Sequence, residues 1–168
     1  VVTGPHEFNA FKNEYPKYGA NFTVQHYTRF LVEHLDQLQP LLKKPVNLKV
    51  TFHDPCYLGR HNGEYEAPRE LLRAIPGVEL VEMGRCRENG YCCGGGGGGM
   101  WLDSFTKEHT TMRLSERRVR EAVEYNADVL AVCCPFEVSR FEDAAKSTGN
   151  DKLIVRDILE LLDESMRG

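Results

Sequence analysis

The sequence has no run approaching the roughly eighteen consecutive apolar residues of a membrane-spanning helix, so no membrane span is expected in it. It has no surplus of positive charge: 21 Lys and Arg stand against 25 Asp and Glu, a formal net charge of -4. A phosphate backbone selects clustered cations, and here even RLSERRVREAVE interleaves bases with acids, which excludes nucleic acid as the expected partner. There are six cysteines, at 56, 86, 92, 93, 133 and 134, yet no C-x-x-C knuckle, the usual unit of a closed zinc site. Nor is a disulfide framework expected: four of the six form two adjacent pairs, which bridge each other only with strain, and 168 residues hold a core without staples. Neither an initiator Met nor a signal-peptide pattern opens the chain at Val1, so a C-terminal fragment of a longer, cytoplasmic protein is expected.

What is present reads as alternating strands and helices. Residues 22–26 suggest a short strand, followed by a helix in which Phe30, Leu31, His34, Leu35 and Leu38 recur at helical spacing. NLKVTFHD predicts a strand over 48–53, APRELLRAI a helix closed by Pro76-Gly77, and VELVEM a second strand. A long helical region from about Leu102 to Tyr125 precedes the apolar strand DVLAV, then a helix PFEVSRFEDAAKS and a last helix around Ile154–Glu164. This alternation implies an α/β fold: βαβ units with a parallel sheet of about four strands flanked by helices. In such sheets ligands bind beyond the carboxyl ends of the strands. Cys56, Cys92-Cys93 and Cys133-Cys134 each follow a predicted strand, so the topology brings distant cysteines to one end of the sheet.

Six consecutive glycines follow Cys93, and the only Trp ends the run at Trp101. Glycine loses the most backbone entropy on folding, so the run needs a reason. A loop without side chains lets backbone N–H groups approach thiolate sulfur closely, with Met100-Trp101 expected to anchor its exit. Soft thiolates select zinc, copper(I) or iron–sulfur clusters, and adjacent thiolates suit a multinuclear cluster in which each reaches a different iron.

The spacing Cys56, 35 residues, Cys92-Cys93-Gly94, 39 residues, Cys134-Pro135-Phe136-Glu137 resembles the cysteine-rich CCG domain of the heterodisulfide reductase family. TFHDPCYLGRHNGEYEAPRELLRAIPG and ENGYCCGGGGGGMW carry the likeness, and GPHEFNAFKNEYP is similar to the end of a preceding CCG copy. Within the chain itself, GPHEFNAF (4–11) matches CPFEVSRF (134–141) at Pro5/Pro135, Glu7/Glu137 and Phe11/Phe141. The resemblance implies residues 1–20 as the tail of a degenerate repeat and 21–168 as a CCG domain. It further implies an iron–sulfur oxidoreductase domain that passes electrons to a disulfide or redox partner, with a 4Fe-4S cluster, cubane or noncubane, on Cys56, Cys92, Cys93 and Cys134. Gly94 and Gly95 flank that cluster. Where the family often has a second cysteine in C-P-x-C this chain has Glu137, either an oxygen ligand or a neighbour, and Gly4 and Glu7 replace both cysteines of the earlier copy. The implied partners are a ferredoxin-like or flavoprotein electron-transfer subunit and a small disulfide or quinone-linked acceptor, in the cytoplasm or at the cytoplasmic face of a membrane complex. The alternatives are a structural zinc domain and a metal-free assembly scaffold.

The remaining candidates have two readings each. His53 and His61 are the candidate catalytic proton donors; otherwise His53-Asp54 form a turn in which Asp54 caps the next helix. Cys133 is expected to be a small core residue, because successive strand side chains face opposite ways, and Cys86 a spare surface thiol, with ligation the second reading of each. His6 is expected to be structural, while Arg60 and Arg85 either meet an anionic substrate or offset cluster charge.

Overall fold

The computed structural model describes residues 1–101 and 108–167. Helices α1 (Pro5–Asn9), α2 (Tyr27–Glu33) and α3 (Leu35–Leu38) precede the first strand of the sheet, β1 (Lys49–Phe52). Then follow α4 (Glu66–Ala74), β2 (Glu79–Val81), α5 (Leu114–Glu124), β3 (Val129–Val132), α6 (Pro135–Ser147), β4 (Ile154–Asp157) and α7 (Ile158–Met166). The four strands form one parallel sheet in the order β2-β1-β3-β4. The α/β architecture expected from the sequence is the one observed.

Both sheet faces are covered, which is why β3 reads as an uninterrupted apolar run, VLAV, with every residue buried. Val129 and Ala131 point into one core with Val50, Phe52, Leu71 and Leu161. Leu130 and Val132 point into the other with Val119, Phe141 and Ala144. Cys133 continues the first set, as the two-residue period requires, and is fully buried there. Chain order reverses between β1 and β3, so the crevice at their carboxyl ends is the topological switch point of the sheet.

Two elements differ from the sequence expectation. Residues 22–26 form no strand: only His26 pairs, through an isolated parallel bridge to Val2. A single bridged residue is too little to order the segment as a strand. The last helix starts four residues later than expected, because Ile154–Asp157 pair with Val129–Val132 as an edge strand. Asp157 then caps α7, accepting from the Leu159 N–H at 2.9 Å while Glu160 accepts from the Asp157 N–H at 2.9 Å. The helix expected from Leu102 is interrupted: residues 110–113 are not helical, the extended Arg113 caps a helix over Leu114–Glu124, and the 102–107 portion lies outside the described residues.

The faint repeat has a geometric counterpart. Gly4 and Cys134 are both extended N-cap residues (φ -101° and -135°) followed by Pro at the first helical position. A Cβ on Gly4 would lie 1.8 Å from Glu7 Oε2, so the Glu7 carboxylate occupies the space a side chain at position 4 would need.

His26 joins the N-terminal segment to α2. Its Nε2 lies 3.1 Å from the Thr3 carbonyl and its Nδ1 2.8 Å from the Thr28 hydroxyl, an arrangement that suits the neutral ring with Nε2 donating. Burial lowers its pKa to about 4, against the Thr3 hydrogen bond that favours the cation. The folded value lies below the unfolded one, so protons bind the unfolded chain first as pH falls. His26 therefore removes stability from about pH 6.5 down to about pH 4, by up to about 1.4 kcal/mol per pH unit. Urea denaturation at pH 7 and pH 5 should show a smaller acid loss in His26→Gln than in the parent; equal losses would refute this coupling.

Candidate metal centre

Three loops at the strand carboxyl ends supply the cysteines. The β1 loop (His53-Asp54-Pro55-Cys56) is held by a buried guanidinium: Arg69 of α4 donates to Asp54 Oδ1 at 2.6 Å and Oδ2 at 3.0 Å. The same Arg69 binds both oxygens of Glu82, at 2.6 and 3.0 Å, and the Tyr65 carbonyl at 2.7 Å. Asp54 Oδ2 also accepts from the Arg87 N–H at 2.7 Å, which ties the loop leading to Cys92 to the loop carrying Cys56. Asp54 is thus an ion-pair partner. The N-cap of α4 is Tyr65, and Glu64 Oε1 accepts the Ala67 N–H, so the expected cap by Asp54 is not what forms.

Cys92 is the shared acceptor of hydrogen bonds from the Cys56 and Cys93 thiols. Gly94 N–H donates to Cys92 Sγ at 3.3 Å and Gly95 N–H to Cys93 Sγ at 3.4 Å. This is the use expected of the glycine run. Gly94 has φ +72°, and a Cβ on Gly99 would lie 2.6 Å from the Gly94 carbonyl oxygen, so the loop folds back on itself where side chains do not fit. Met100 and Trp101 line the adjoining cavity, but Trp101 is 82% exposed and is no packed anchor; the bare loop beneath it offers no side chains to pack against.

Beneath the sulfurs lie polar groups without partners. His53 is fully buried and neither ring nitrogen makes a hydrogen bond, although Nε2 lies 3.3 Å from Glu137 Oε1, out of line for one. Glu137 Oε2, in the first turn of α6, is likewise unsatisfied. His53, Cys93 and Glu137 place one ligand atom each within 4.8 Å of one another. Buried groups without hydrogen bonds are costly unless something else meets them.

The electrostatics have the same character. Donation from the Cys56 and Cys93 thiols, with the Gly94 N–H, pulls Cys92 down to about 2. That shared hydrogen bonding, together with burial, pushes Cys56 and Cys93 upward. Burial, and then the neighbouring Glu137, raise Cys134. Burial followed by the Cys92 charge lifts Glu137 well above the usual carboxylate range. Burial and then Arg118 lower His53 to about 3, leaving it neutral and able to ligate. One thiolate is thus tolerated, and further ionisation of the donors awaits a compensating cation. The donor set fits a thiophilic metal group.

Cys93 and Cys134 open together onto a cavity of about 450 Å³ walled by His6, Ala10, Phe136 and Trp101 and lined by glycines. His6 packs on Tyr57, ring centroids 4.4 Å apart, and meets Phe136 edge-on at 5.8 Å. His61 lies apart: it is exposed, stacks on Tyr57 with centroids 4.5 Å apart, and does not line the cavity. Cys86 also lies outside, its sulfur 3.7 Å from Arg87 Nη1. Arg60 donates to the Gly90 carbonyl at 2.7 Å and so braces the loop.

Sequence reasoning missed Arg140 and Arg118. Arg140 is 5% exposed and donates to the Cys93 and Gly94 carbonyls at 3.4 and 3.5 Å. Its signal was available: Glu137 and Arg140 stand three apart on α6, two charged residues on the face whose other members, Phe141 and Ala144, are buried. Arg118, fully buried, donates to the Phe52 and Arg85 carbonyls and to Glu121.

These features define an α/β domain with a cysteine-rich crevice at its strand carboxyl ends. Residues 50–136 match the family model CCG, described as a cysteine-rich domain, and the chain belongs to that family. It is 42% identical to the probable iron-sulfur-binding oxidoreductase FadF of Bacillus subtilis (strain 168), over 100% of this chain and 23% of that protein. Identity to the EtfAB:quinone oxidoreductase of Syntrophomonas wolfei is 36%, over 99% of this chain and 24% of the other. To one of the subunits of the dihydromethanophenazine:CoB–CoM heterodisulfide reductase of Methanosarcina barkeri it is 39%, over 95% and 38%. The chain therefore spans about a quarter of the first two of these relatives. Among the described residues no helix is long and apolar enough to cross a membrane.

Arg140→Met removes both donors from the Cys93 and Gly94 carbonyls, and Gly94→Ala forces a side chain into a left-handed position. Each should cost about 1–3 kcal/mol in chemical denaturation and speed limited proteolysis within 94–101. Unchanged stability and cleavage in both variants would show that the clamp carries no weight.

Proposed function

We propose that this chain is the electron-transfer domain of an iron–sulfur oxidoreductase, holding one four-iron cluster through Cys56, Cys92, Cys93 and Cys134. The observation that carries the reading is the convergence of sulfurs from three strand ends, two of them receiving glycine N–H donors, beside the unsatisfied His53 ring nitrogens and Glu137 Oε2. A cluster bound there supplies reversible one-electron transfer. Gly94 and Gly95 N–H groups stabilise negative charge on sulfur, which favours the reduced state. Arg140 adds buried positive charge behind Cys93, and Arg118 acts on His53 and Glu137. Glu137 occupies the fifth position as an oxygen donor or as a proton holder beside Cys134, and His53 stays neutral beneath it.

The names of the relatives support a redox role shared with larger enzymes: one is a quinone oxidoreductase, another belongs to a heterodisulfide reductase. On this reading electrons enter from a ferredoxin-like or flavoprotein subunit and leave to a disulfide or a quinone-linked acceptor at the cavity walled by His6, Phe136 and Trp101. Residues 1–20 are the remnant of a preceding CCG copy, and Glu7 fills the room left at Gly4. His53, neutral, is a hydrogen-bond donor or ligand beside Glu137, whose carboxyl, raised by burial, is the proton source nearest it; His61 lies outside the cavity, stacked on Tyr57.

A structural zinc ion is the second reading, favoured by the mixed nitrogen, sulfur and oxygen set of His53, Cys93 and Glu137. Metal analysis separates the two. Protein purified without oxygen should contain about four iron and four sulfide per chain and absorb in the visible. Cys92→Ala and Cys93→Ala should each lose most of that absorption while keeping the fold by circular dichroism. One zinc and no iron after reconstitution, or full absorption in both variants, would overturn the cluster assignment.

A further inference from the structure

A second cavity, of about 660 Å³, lies outside the cysteine crevice and is lined on one side by the residue before Cys92. Arg85, from the loop after β2, sits with its guanidinium carbon 4.7 Å from the Tyr91 ring centroid; that of Arg117, from α5, sits at 5.0 Å. Arg120 stands one turn further along α5 and lines the same cavity.

Among the described residues these three arginines have no carboxylate within ion-pair distance, and their side chains make no hydrogen bond. Every other arginine has one or the other: Arg29, Arg69 and Arg87 are ion-paired, for instance, and Arg60 and Arg140 bind backbone carbonyls. The cavity also holds Glu121 and Glu124. Glu121 is already engaged, receiving Arg118 at 2.8 Å and the Arg85 N–H at 2.8 Å. Three exposed guanidiniums against one uncommitted carboxylate leave the cavity with a net positive charge, as a polyanion such as a diphosphate requires. In a chain whose formal net charge is -4, this concentration of unmatched positive charge is local.

We infer that this cavity is a binding site for a nucleotide-sized small molecule carrying a diphosphate. Guanidinium forks match phosphate oxygens in pairs, and the volume falls within the range of small-molecule sites. Met112 and Leu114 supply an apolar wall beside the cations, as a flat ring attached to the phosphates requires. Two arginines stacked on one tyrosine hold their positive groups in place before a ligand arrives, which lowers the ordering cost of binding. Because Tyr91 directly precedes Cys92, an occupant restrains the backbone that carries a cysteine of the crevice.

Calorimetric titration of ADP and of inorganic pyrophosphate into the anaerobically purified chain at low ionic strength tests this. Both should bind saturably at one site, ADP at least as tightly, with affinity falling tenfold or more in Arg85→Gln/Arg117→Gln and, separately, in Arg120→Gln. All three positions are exposed, and circular dichroism checks that the variants fold. The heat does not depend on the metal, so this result stands or falls apart from the iron content. No saturable heat, or equal affinity in parent and variants, overturns the site; pyrophosphate binding without ADP binding overturns the nucleotide-sized ligand.

Discussion

The crevice depends on one buried cation. Arg69, fully enclosed, commits its guanidinium to Asp54, Glu82 and the Tyr65 carbonyl, and Asp54 commits its second oxygen also to the Arg87 N–H. A buried ion pair of this kind contributes little net stability, because desolvation offsets the attraction, but it fixes geometry: removing any partner leaves a charge in a place without water. The loop after β1 and the loop after β2 are thereby locked to α4 and to each other. Cys56 and Cys92 come from those two loops, so their contact is a consequence of the Arg69 network before it is a property of the cysteines.

The opposite wall of the crevice is built by different means. Where the first wall has a salt-bridge network, the CCG loop has backbone alone, turned through glycines and held from behind by Arg140. Side chains there would displace the N–H groups from sulfur, and a carboxylate partner for Arg140 would cancel the positive charge that sits behind the thiolates. The two proline-started turns at Gly4 and Cys134 differ for a related reason. At Cys134 the strand-to-helix turn still presents a thiol with a buried glutamate three residues on. At Gly4 there is no thiol and Glu7 turns into the space a side chain would take, so donor chemistry is kept on one side of the crevice and the other side becomes a wall.

Much of this was legible in the sequence because it follows from short-range rules. The apolar run at 129–132, Pro135 at a helix start and the period-two placement of Cys133 each need only local geometry, and the strand-end positions of the cysteines need only the topology of parallel sheets. What was not legible depends on pairing across the chain. Ile154–Asp157 runs directly into the apolar periodicity of the last helix and pairs as a strand because β3 offers an open edge, although Ile154-Val155 are themselves strand formers. Asp54 resembles a helix cap in sequence, and only the arrival of Arg69 from fifteen residues away makes it an ion-pair partner. His61 and Trp101 sit beside the motifs yet stay exposed, which no spacing rule shows.

The adjacent cysteines also stand at a boundary. Cys93 opens onto the cavity walled by His6 and Phe136, which is largely apolar, while Tyr91, the neighbour of Cys92 on the other side, lines the cationic cavity. A stretch of three residues outside any helix can turn its side chains to different sides of the backbone, so it serves two chambers at once. This placement gives Tyr91-Cys92-Cys93 two physical inputs: an uncharged occupant can approach the sulfurs from one side, and an anion can fix the backbone from the other. A glycine run beginning at the very next residue keeps the stretch free of competing side chains, and Arg140 behind it sets how far the backbone can yield. The six glycines are therefore an arrangement in which sulfur, backbone and two cavities share one short segment.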